Sequence, residues 1–199
     1  IDSIQALNDI AYGSMDFAVW VRLYKKEIWD GLRFPERRNY EDFAVMYKVL
    51  QKAKYVAYLD EILYKYRNRS GSITATKSIK NMHDFLLSTQ EFDSFVNENT
   101  PEIFTEEARN AKLIMSIVLL SDLSFSQVSK HKTQEGLALR KEIKKEILKK
   151  FREIHFTPGR LNFLIKHFAA LILIRYCPWL HPFVRSCYRA IKKFVTFFL

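Results

Sequence analysis

The scarcity of glycine and proline is the feature that most constrains how this chain can fold. Only 5 of each occur among 199 residues, while apolar residues make up 48% and aromatic residues 15%. A sequence with so few interruptions favours long helices. Its apolar content is high enough to bury a core that offsets the entropy lost on ordering. These numbers predict a folded chain in which helices dominate.

The first 75 residues are the exception to a purely helical pattern. Apolar spacing predicts amphipathic helices over 1–13 and 40–53, and 25–30 has the character of a short helical turn closed by Gly31. Aromatic and β-branched residues instead predict short strands, at 17–24, 55–59 and 62–67. The expected fold class is therefore α/β with a mixed sheet remnant, followed by an all-helical C-terminal extension.

The remainder of the chain has helical periodicity throughout. Candidate helices run over about 76–97, 102–123, 133–154, 158–175 and 180–198. We accordingly expect three parts, whose ranges are 1–75, 76–157 for a helical extension, and 158–199 for basic amphipathic helices.

The net charge of +10 is concentrated in the last third of the sequence. Residues 1–129 carry 16 Lys and Arg against 18 Asp and Glu, whereas residues 130–199 carry 16 against 4. A basic segment of this kind favours an anionic partner, either lipid head groups or nucleic acid. No nucleic-acid-binding motif is recognisable, and the cations are interleaved with bulky aliphatic residues. We therefore expect no nucleic acid partner.

Residues 158–199 have the composition of helices that lie on a membrane surface. No apolar run approaches the roughly 20 residues that a spanning helix needs. An interfacial position would place apolar side chains among acyl chains and four cations on anionic head groups: Arg185, Arg189, Lys192 and Lys193. The alternative is that these helices pack back onto the rest of the protein as ordinary core.

Cysteine and histidine residues give no sign of a disulfide framework or a metal site. Cys177 and Cys187 have neither a CxxC partner nor zinc-ligand spacing, so reduced thiols in the cytoplasm are the simpler interpretation. The five histidines are dispersed and form no i, i+4 ligand pair. No metal ligand is predicted within these residues.

An ordered series of short motifs lies between residues 20 and 73. The series consists of Trp20-Val21-Arg22-Leu23-Tyr24, Phe34-Pro35, Glu41-Asp42, Tyr64-Lys65-Tyr66-Arg67 and Gly71-Ser72-Ile73. It resembles the C-terminal half of the catalytic domain of family 2 inverting glycosyltransferases, which have the GT-A fold. Arg22 stands where that family usually has lysine. The resemblance covers residues 1–75 and implies transfer of a sugar from a nucleotide-sugar donor to an acceptor hydroxyl.

The Glu41-Asp42 pair is the candidate catalytic centre. Inverting transfer needs a base that takes the proton of the attacking hydroxyl, and a carboxylate fixed at a helix N-terminus suits this role. The resemblance assigns the base to Asp42 and an acceptor or orienting contact to Glu41. Read without the surrounding motifs, the two carboxylates could simply begin a helix.

The resemblance also implies a site for the donor diphosphate and one for the acceptor. Arg67, Arg69 and Ser72 are the candidates for the diphosphate, since guanidinium groups and hydroxyls suit phosphate oxygens. A solvated basic turn is the alternative for this loop. Trp20 could line the acceptor cleft or be a core residue on a buried strand.

The resemblance implies a divalent metal, Mn²⁺ or Mg²⁺, bound by an Asp-x-Asp motif. This sequence contains no Asp-x-Asp. We therefore expect the metal ligands upstream and expect this segment alone to be inactive. The implied setting is bacterial cell-surface polysaccharide synthesis on the cytoplasmic face of the plasma membrane, with a saccharide or lipid-linked acceptor. A non-enzymatic membrane-associated helical adaptor and a degenerate, binding-only relative are the alternatives.

Overall fold

A computed structural model describes residues 1–67, 78–124 and 132–154 of the chain, together with Tyr176. Five α-helices lie within these residues: α1 Ser3–Tyr12, α2 Glu41–Lys52, α3 Ile79–Glu98, α4 Glu106–Asp122 and α5 Gln134–Glu153. Two 3₁₀ turns, Val19–Val21 and Lys26–Trp29, lie between α1 and α2. The chain divides into two compact units, Ile1–Lys112 and Leu113–Leu199, and α4 contributes residues to both.

Local capping explains where several helices begin and end. The Asp2 side chain accepts a hydrogen bond from the Gln5 amide at the start of α1, and Gly13 ends that helix in the left-handed conformation (φ +74°). Ser78 and Thr133 cap α3 and α5 in the same way. These local signals agree with the predicted helices over 1–13, 76–97 and 133–154.

The prediction of an α/β fold is wrong for the part of the chain that the structure describes. No strand forms there, and the only β-type pairing is an isolated bridge between Asp2 and Tyr55. A strand exists only when a neighbouring strand accepts and donates its backbone hydrogen bonds. Residues 55–59 pair with the start of the chain only through this bridge and the two hydrogen bonds between Ile1 and Val56. Residues 62–67 pair with no other strand among the described residues, and both segments are almost entirely exposed.

The segment predicted as a strand over 17–24 is rich in aromatic residues for a different reason. It forms the turn Val19–Val21, and the Phe17 and Tyr24 side chains pack onto α2. The Phe17 ring lies 4.2 Å from the Phe43 ring, and the Tyr24 hydroxyl donates to the Val19 carbonyl at 3.1 Å. Aromatic and β-branched residues favour strands because they pack well on a half-buried surface. In this segment a helix provides that surface, and no strand is needed.

The core of the first unit lies where α1, α2 and α3 meet. Phe92 of α3 is completely buried there, with ring-centroid distances of 5.0 Å to Tyr47, 6.0 Å to Phe43 and 6.4 Å to Phe104. Aromatic pairs at such separations favour tilted or edge-to-face contact and contribute beyond the area they bury. The buried face of α2 is thereby fixed between α1 and α3.

In the second unit, α5 presents one apolar face, whereas α4 is buried on several sides. Buried residues recur at helical spacing along them: Leu113, Ile117, Leu120, Leu139, Ile143 and Ile147. Lys150 is also buried, and its ammonium contacts the Glu146 carboxylate at 3.1 Å. Among the described residues, no helix is both long and apolar enough to cross a bilayer. The helices predicted over 158–175 and 180–198 and the part boundaries near residues 75 and 157 fall outside the described residues and stay predictions.

Candidate functional site

The carboxylates of Glu41 and Asp42 occupy the first turn of α2. Glu41 is exposed, and Asp42 is half-buried. The helix dipole favours negative charge at this end. The residue before them, Tyr40, has a left-handed backbone (φ +58°) and provides no side-chain cap. Two acidic groups therefore lie at the start of a helix whose next residue, Phe43, already belongs to the core.

Asp42 is held in an environment that disfavours its charged form. Burial raises the pKa of its carboxyl, and the charges of Glu41 and Asp16 raise it further. The hydrogen bond from the Phe43 amide to Asp42 Oδ1, at 2.8 Å, acts in the opposite direction but does not outweigh them. The pKa of Asp42 therefore lies above the ordinary aspartate value, which makes the ionised group a better proton acceptor.

Two tyrosine hydroxyls also lie within electrostatic range of Asp42. Burial raises the pKa of Tyr24, and the charge of Asp42 adds to this, while Arg22 lowers it. Burial likewise raises the pKa of Tyr40, with further contributions from Asp42 and Asp84. Among the described residues, the charges that act on the Asp42 carboxyl are those of Glu41 and Asp16, and Asp42 in turn acts on the hydroxyls of Tyr24 and Tyr40.

The loop before α2 is tied to one face of α3. The Arg38 guanidinium contacts both carboxylate oxygens of Glu91, at 2.8 and 2.9 Å, and donates to Ser88 Oγ at 2.7 Å. Such a two-point contact fixes both distance and direction. Ser88 Oγ in turn donates to the Tyr40 carbonyl at 3.4 Å.

Asn39 makes the second set of contacts between this loop and α3. Its backbone amide donates to Asp84 Oδ2 at 3.0 Å, and its side-chain amide donates to both Asp84 and Asn81. Burial by itself would raise the pKa of Asp84. The hydrogen bonds from Lys80 and Asn39 and the charges of Lys80 and Arg38 outweigh it, so that the pKa of Asp84 lies below its ordinary value.

Trp20 lies on the surface with two tyrosines from the segment before residue 67. Its ring is stacked with Tyr66 at 5.0 Å and an interplanar angle of 24°, and it lies 4.7 Å from the Tyr64 ring. About half of each side chain is exposed, at 43%, 50% and 54% for residues 20, 66 and 64. The interpretation of Trp20 as a core residue on a buried strand is therefore wrong.

The structure describes one of the three residues predicted to contact the donor diphosphate. Arg67 is exposed, and within the described ranges no ion pair or hydrogen bond links it to Glu41 or Asp42. Arg69 and Ser72 lie outside the described residues and stay predictions.

The described residues form no candidate site for the divalent metal that the resemblance implies. Over 1–67, 78–124 and 132–154, no three His, Cys, Asp or Glu side chains are arranged so that they could hold a metal ion. Asp16, Glu41 and Asp42 influence one another electrostatically but do not form such a group. The divalent metal and its ligands stay a prediction.

Sequence reasoning missed the contacts that fix the start of α2. The left-handed Tyr40 gives no sequence signal, because such a backbone is uncommon for a bulky residue. The residues of α3 that contact this loop do have a signal in the sequence. They are polar residues that recur at intervals of three and four, which places them on one helix face: Asn81, Asp84, Ser88 and Glu91.

The environment of Asp42 predicts an ordering of carboxyl titrations that can be measured without activity. In a ¹³C NMR titration of the carboxyl groups, Asp42 should titrate above the ordinary aspartate pKa of about 3.9, and Asp84 should titrate below it. Glu41→Gln removes one of the charges that raise the pKa of Asp42, so the titration of Asp42 should move to lower pH. Glu36→Gln, another exposed glutamate of this region, is the control and should leave it in place. An Asp42 pKa at or below the ordinary value, or one unmoved by Glu41→Gln, would contradict this description.

Comparison with known proteins adds one relationship. A segment of 56 residues is 36% identical to the protein called Glycosyltransferase GlyG from Streptococcus pneumoniae serotype 4 (strain ATCC BAA-334 / TIGR4). The match covers 28% of this chain and 19% of that relative, so the chain spans less than a fifth of the relative's length. No protein-family model and no solved structure matches the chain. The similarity supports a relationship to glycosyltransferases.

Proposed function

We propose that this chain belongs to an inverting glycosyltransferase in which Asp42 is the catalytic base. The observation that carries the proposal is the half-buried Asp42 carboxylate at the start of α2, whose pKa is raised by burial and by neighbouring anions. The ordered motifs from Trp20 to Ile73 and the similarity to a streptococcal glycosyltransferase support it.

The proposed reaction is a single displacement at the anomeric carbon. The ionised Asp42 accepts the proton of the acceptor hydroxyl as that oxygen forms a bond to the anomeric carbon. The bond from this carbon to the nucleoside diphosphate breaks at the same time, and its electron pair leaves with the diphosphate. One base and one displacement reverse the configuration of the sugar. A raised pKa brings the base closer to the working pH, where general-base catalysis is more effective.

Two further features suit the acceptor side of this reaction. Glu41 is exposed beside Asp42 and can accept hydrogen bonds from hydroxyl groups that orient the acceptor. Trp20, Tyr64 and Tyr66 form an exposed aromatic cluster. The apolar face of a sugar ring packs favourably on such a surface, while the tyrosine hydroxyls remain available for polar contacts. We therefore assign the aromatic cluster to a saccharide acceptor.

On the donor side, Arg67, Arg69 and Ser72 would contact the diphosphate of a nucleotide sugar. Stabilising the charge that develops on the leaving group is the main electrostatic requirement of the reaction. The ligands of an Mn²⁺ or Mg²⁺ ion would have to come from residues other than those described. The pathway we propose is synthesis of bacterial cell-surface polysaccharide.

The substitution Asp42→Asn tests the assignment of the base. We expect it to lower the rate of sugar transfer by at least about 10²-fold, the range typical for loss of a general base. The fold should be retained, because burial already disfavours the charge of Asp42 and an amide oxygen can still accept from the Phe43 amide. Transfer would be assayed with the full-length protein, Mn²⁺ or Mg²⁺ and a panel of UDP-, GDP- and TDP-sugars.

Asp30→Asn is the matched control, since Asp30 is exposed and lies outside the cluster around Asp42. It should leave the transfer rate unchanged. Substantial turnover by the Asp42→Asn protein would contradict the role of Asp42. No transfer by the unmodified protein with any donor would contradict the proposed function.

The charge distribution favours a second part of the proposal, association of the basic C-terminal residues with the anionic inner face of the plasma membrane. The protein should bind vesicles that contain phosphatidylglycerol and should not bind vesicles of phosphatidylcholine alone. Each cation near the surface contributes about 1 kcal/mol, so replacing four by glutamine should weaken binding by roughly 10³-fold. These four are Arg185, Arg189, Lys192 and Lys193.

A control protein carries the same number of substitutions elsewhere. In this control, glutamine replaces four exposed lysines of the first unit: Lys25, Lys26, Lys48 and Lys54. The proposed role of the C-terminal residues would be contradicted if both quadruple variants bound vesicles equally weakly. It would also be contradicted if neither variant bound them more weakly than the unmodified protein.

A further inference from the structure

The backbone just before α2 has an unusual conformation. Arg37 and Tyr40 both lie in the left-handed region, with φ values of +54° and +58°. This region is unfavourable for L-residues and especially uncommon for bulky ones. Such residues persist where the surrounding structure imposes the conformation, and they cluster at functional sites.

The three residues that immediately precede α2, 38–40, are all tied to α3. Arg38 contacts Glu91 and Ser88, as described above, and Asn39 contacts Asp84 and Asn81.

Tyr40 is the third of these residues that contacts α3. Its carbonyl accepts from Ser88, and its ring lies 5.1 Å from the Phe85 ring in an edge-to-face contact. Backbone and side-chain groups of residues 38–40 are therefore both restrained.

The face of α3 that makes these contacts is itself rigidly placed. Asn81, Asp84 and Ser88 are buried, at 7%, 8% and 0% exposure. The same helix contributes Phe92 to the centre of the core. A shift of this polar face would therefore require repacking of the aromatic cluster, which a close-packed interior resists.

This restraint is more than the start of a helix requires. Asn, Asp or Ser at the position of Tyr40 would cap α2 directly, and glycine would adopt the left-handed backbone without strain. The chain instead has a tyrosine without a side-chain cap, held by polar residues more than 40 positions away in sequence. The arrangement determines the direction in which the first turn of α2 leaves the loop, and Asp42 lies in that turn.

We infer that Arg38 and Asn39 are positioning residues, which act through the left-handed Tyr40 to aim the Asp42 carboxylate at the acceptor hydroxyl. The inference rests on the proposed function, because it assumes that Asp42 is the base. Small displacements of a catalytic group reduce the rate steeply, by as much as about 10²-fold for a shift of 1 Å. Loss of the contacts to α3 should thus affect catalysis more than substrate binding.

The substitution Asn39→Ala tests this role, and Asn8→Ala is a matched control. Asn8 is a buried asparagine of the same unit, and its side chain bonds the Ile4 and Ile103 carbonyls and the Thr105 amide. Asn39→Ala removes the two side-chain hydrogen bonds to Asn81 and Asp84, and Asn8→Ala removes three side-chain hydrogen bonds. We expect Asn39→Ala to lower kcat by about 10- to 100-fold, with KM for the acceptor changed less than about threefold. Asn8→Ala should lower the unfolding temperature but leave kcat unchanged.

The pKa of Asp42, measured by ¹³C NMR, provides a second readout that needs no activity. Burial is the main reason that this pKa is raised. If Asn39→Ala lets the first turn of α2 move towards solvent, the pKa of Asp42 should fall towards its ordinary value, and Asn8→Ala should leave it in place. The neighbouring charges of Glu41 and Asp16 are present in both proteins, so they do not account for a difference.

Ser88→Ala is a milder variant, should Asn39→Ala fail to fold. It removes one contact to Arg38 and one to Tyr40, and we expect a several-fold loss of kcat with the same direction of change in the Asp42 pKa. The inference is overturned if these α3-contact variants keep the parental kcat and Asp42 pKa, or if Asn8→Ala lowers kcat as much as they do. The failure of the proposed function would look different. If the Asp42→Asn protein retains transfer, Asp42 is not the base; if Asn39→Ala still lowers the Asp42 pKa, the contacts to α3 nevertheless position this carboxyl group.

Discussion

Burial of α2 between α1 and α3 is the constraint on which the rest of the first unit depends. Phe43 and Tyr47 of α2 pack on Phe92 of α3, and the loop before α2 bonds to a polar face of that same helix. The candidate site is a direct continuation of this packing. Because Asp42 immediately precedes the buried Phe43, its carboxylate cannot be displaced far without disturbing the core.

The raised pKa of Asp42 follows from the same arrangement. Half-burial removes water from the carboxyl, and α2 and the segment before Ala18 bring Glu41 and Asp16 close to it. Asp84 experiences the opposite environment, since Lys80, Asn39 and Arg38 all stabilise its charge. The pKa values of two aspartates of one unit are thereby shifted in opposite directions. The lowered pKa of Asp84 suits its contacts to the loop before α2, and the raised pKa of Asp42 supports its proposed role as the base.

The helices could be predicted from the sequence because their signals are local. Apolar spacing and the caps Asp2, Ser78 and Thr133 lie within a few residues of the elements they specify. The strand predictions failed because pairing is not local. Residues 55–67 have strand-like composition, but in the described part of the chain they form only an isolated bridge, from Tyr55 to Asp2. Phe17 and Tyr24 have strand propensity too, yet α2 supplies the surface that buries them.

The site was predictable to a similar extent. The position of Glu41 and Asp42 at a helix start followed from the neighbouring residues, and the surface exposure of Trp20 did not. The left-handed Tyr40 and its support by Ser88 depend on a contact across 48 residues, which no pattern within the loop reveals. Only the polar stripe along α3 gave an indication in the sequence.

The configuration of the product at its anomeric carbon tests the central claim most directly. ¹H NMR of the product that the full-length protein forms from an α-linked nucleotide sugar would report it through the coupling of the anomeric proton. A single displacement with Asp42 as base predicts a β-linked product. An α-linked product, which requires a second nucleophile or a different mechanism, would contradict the account.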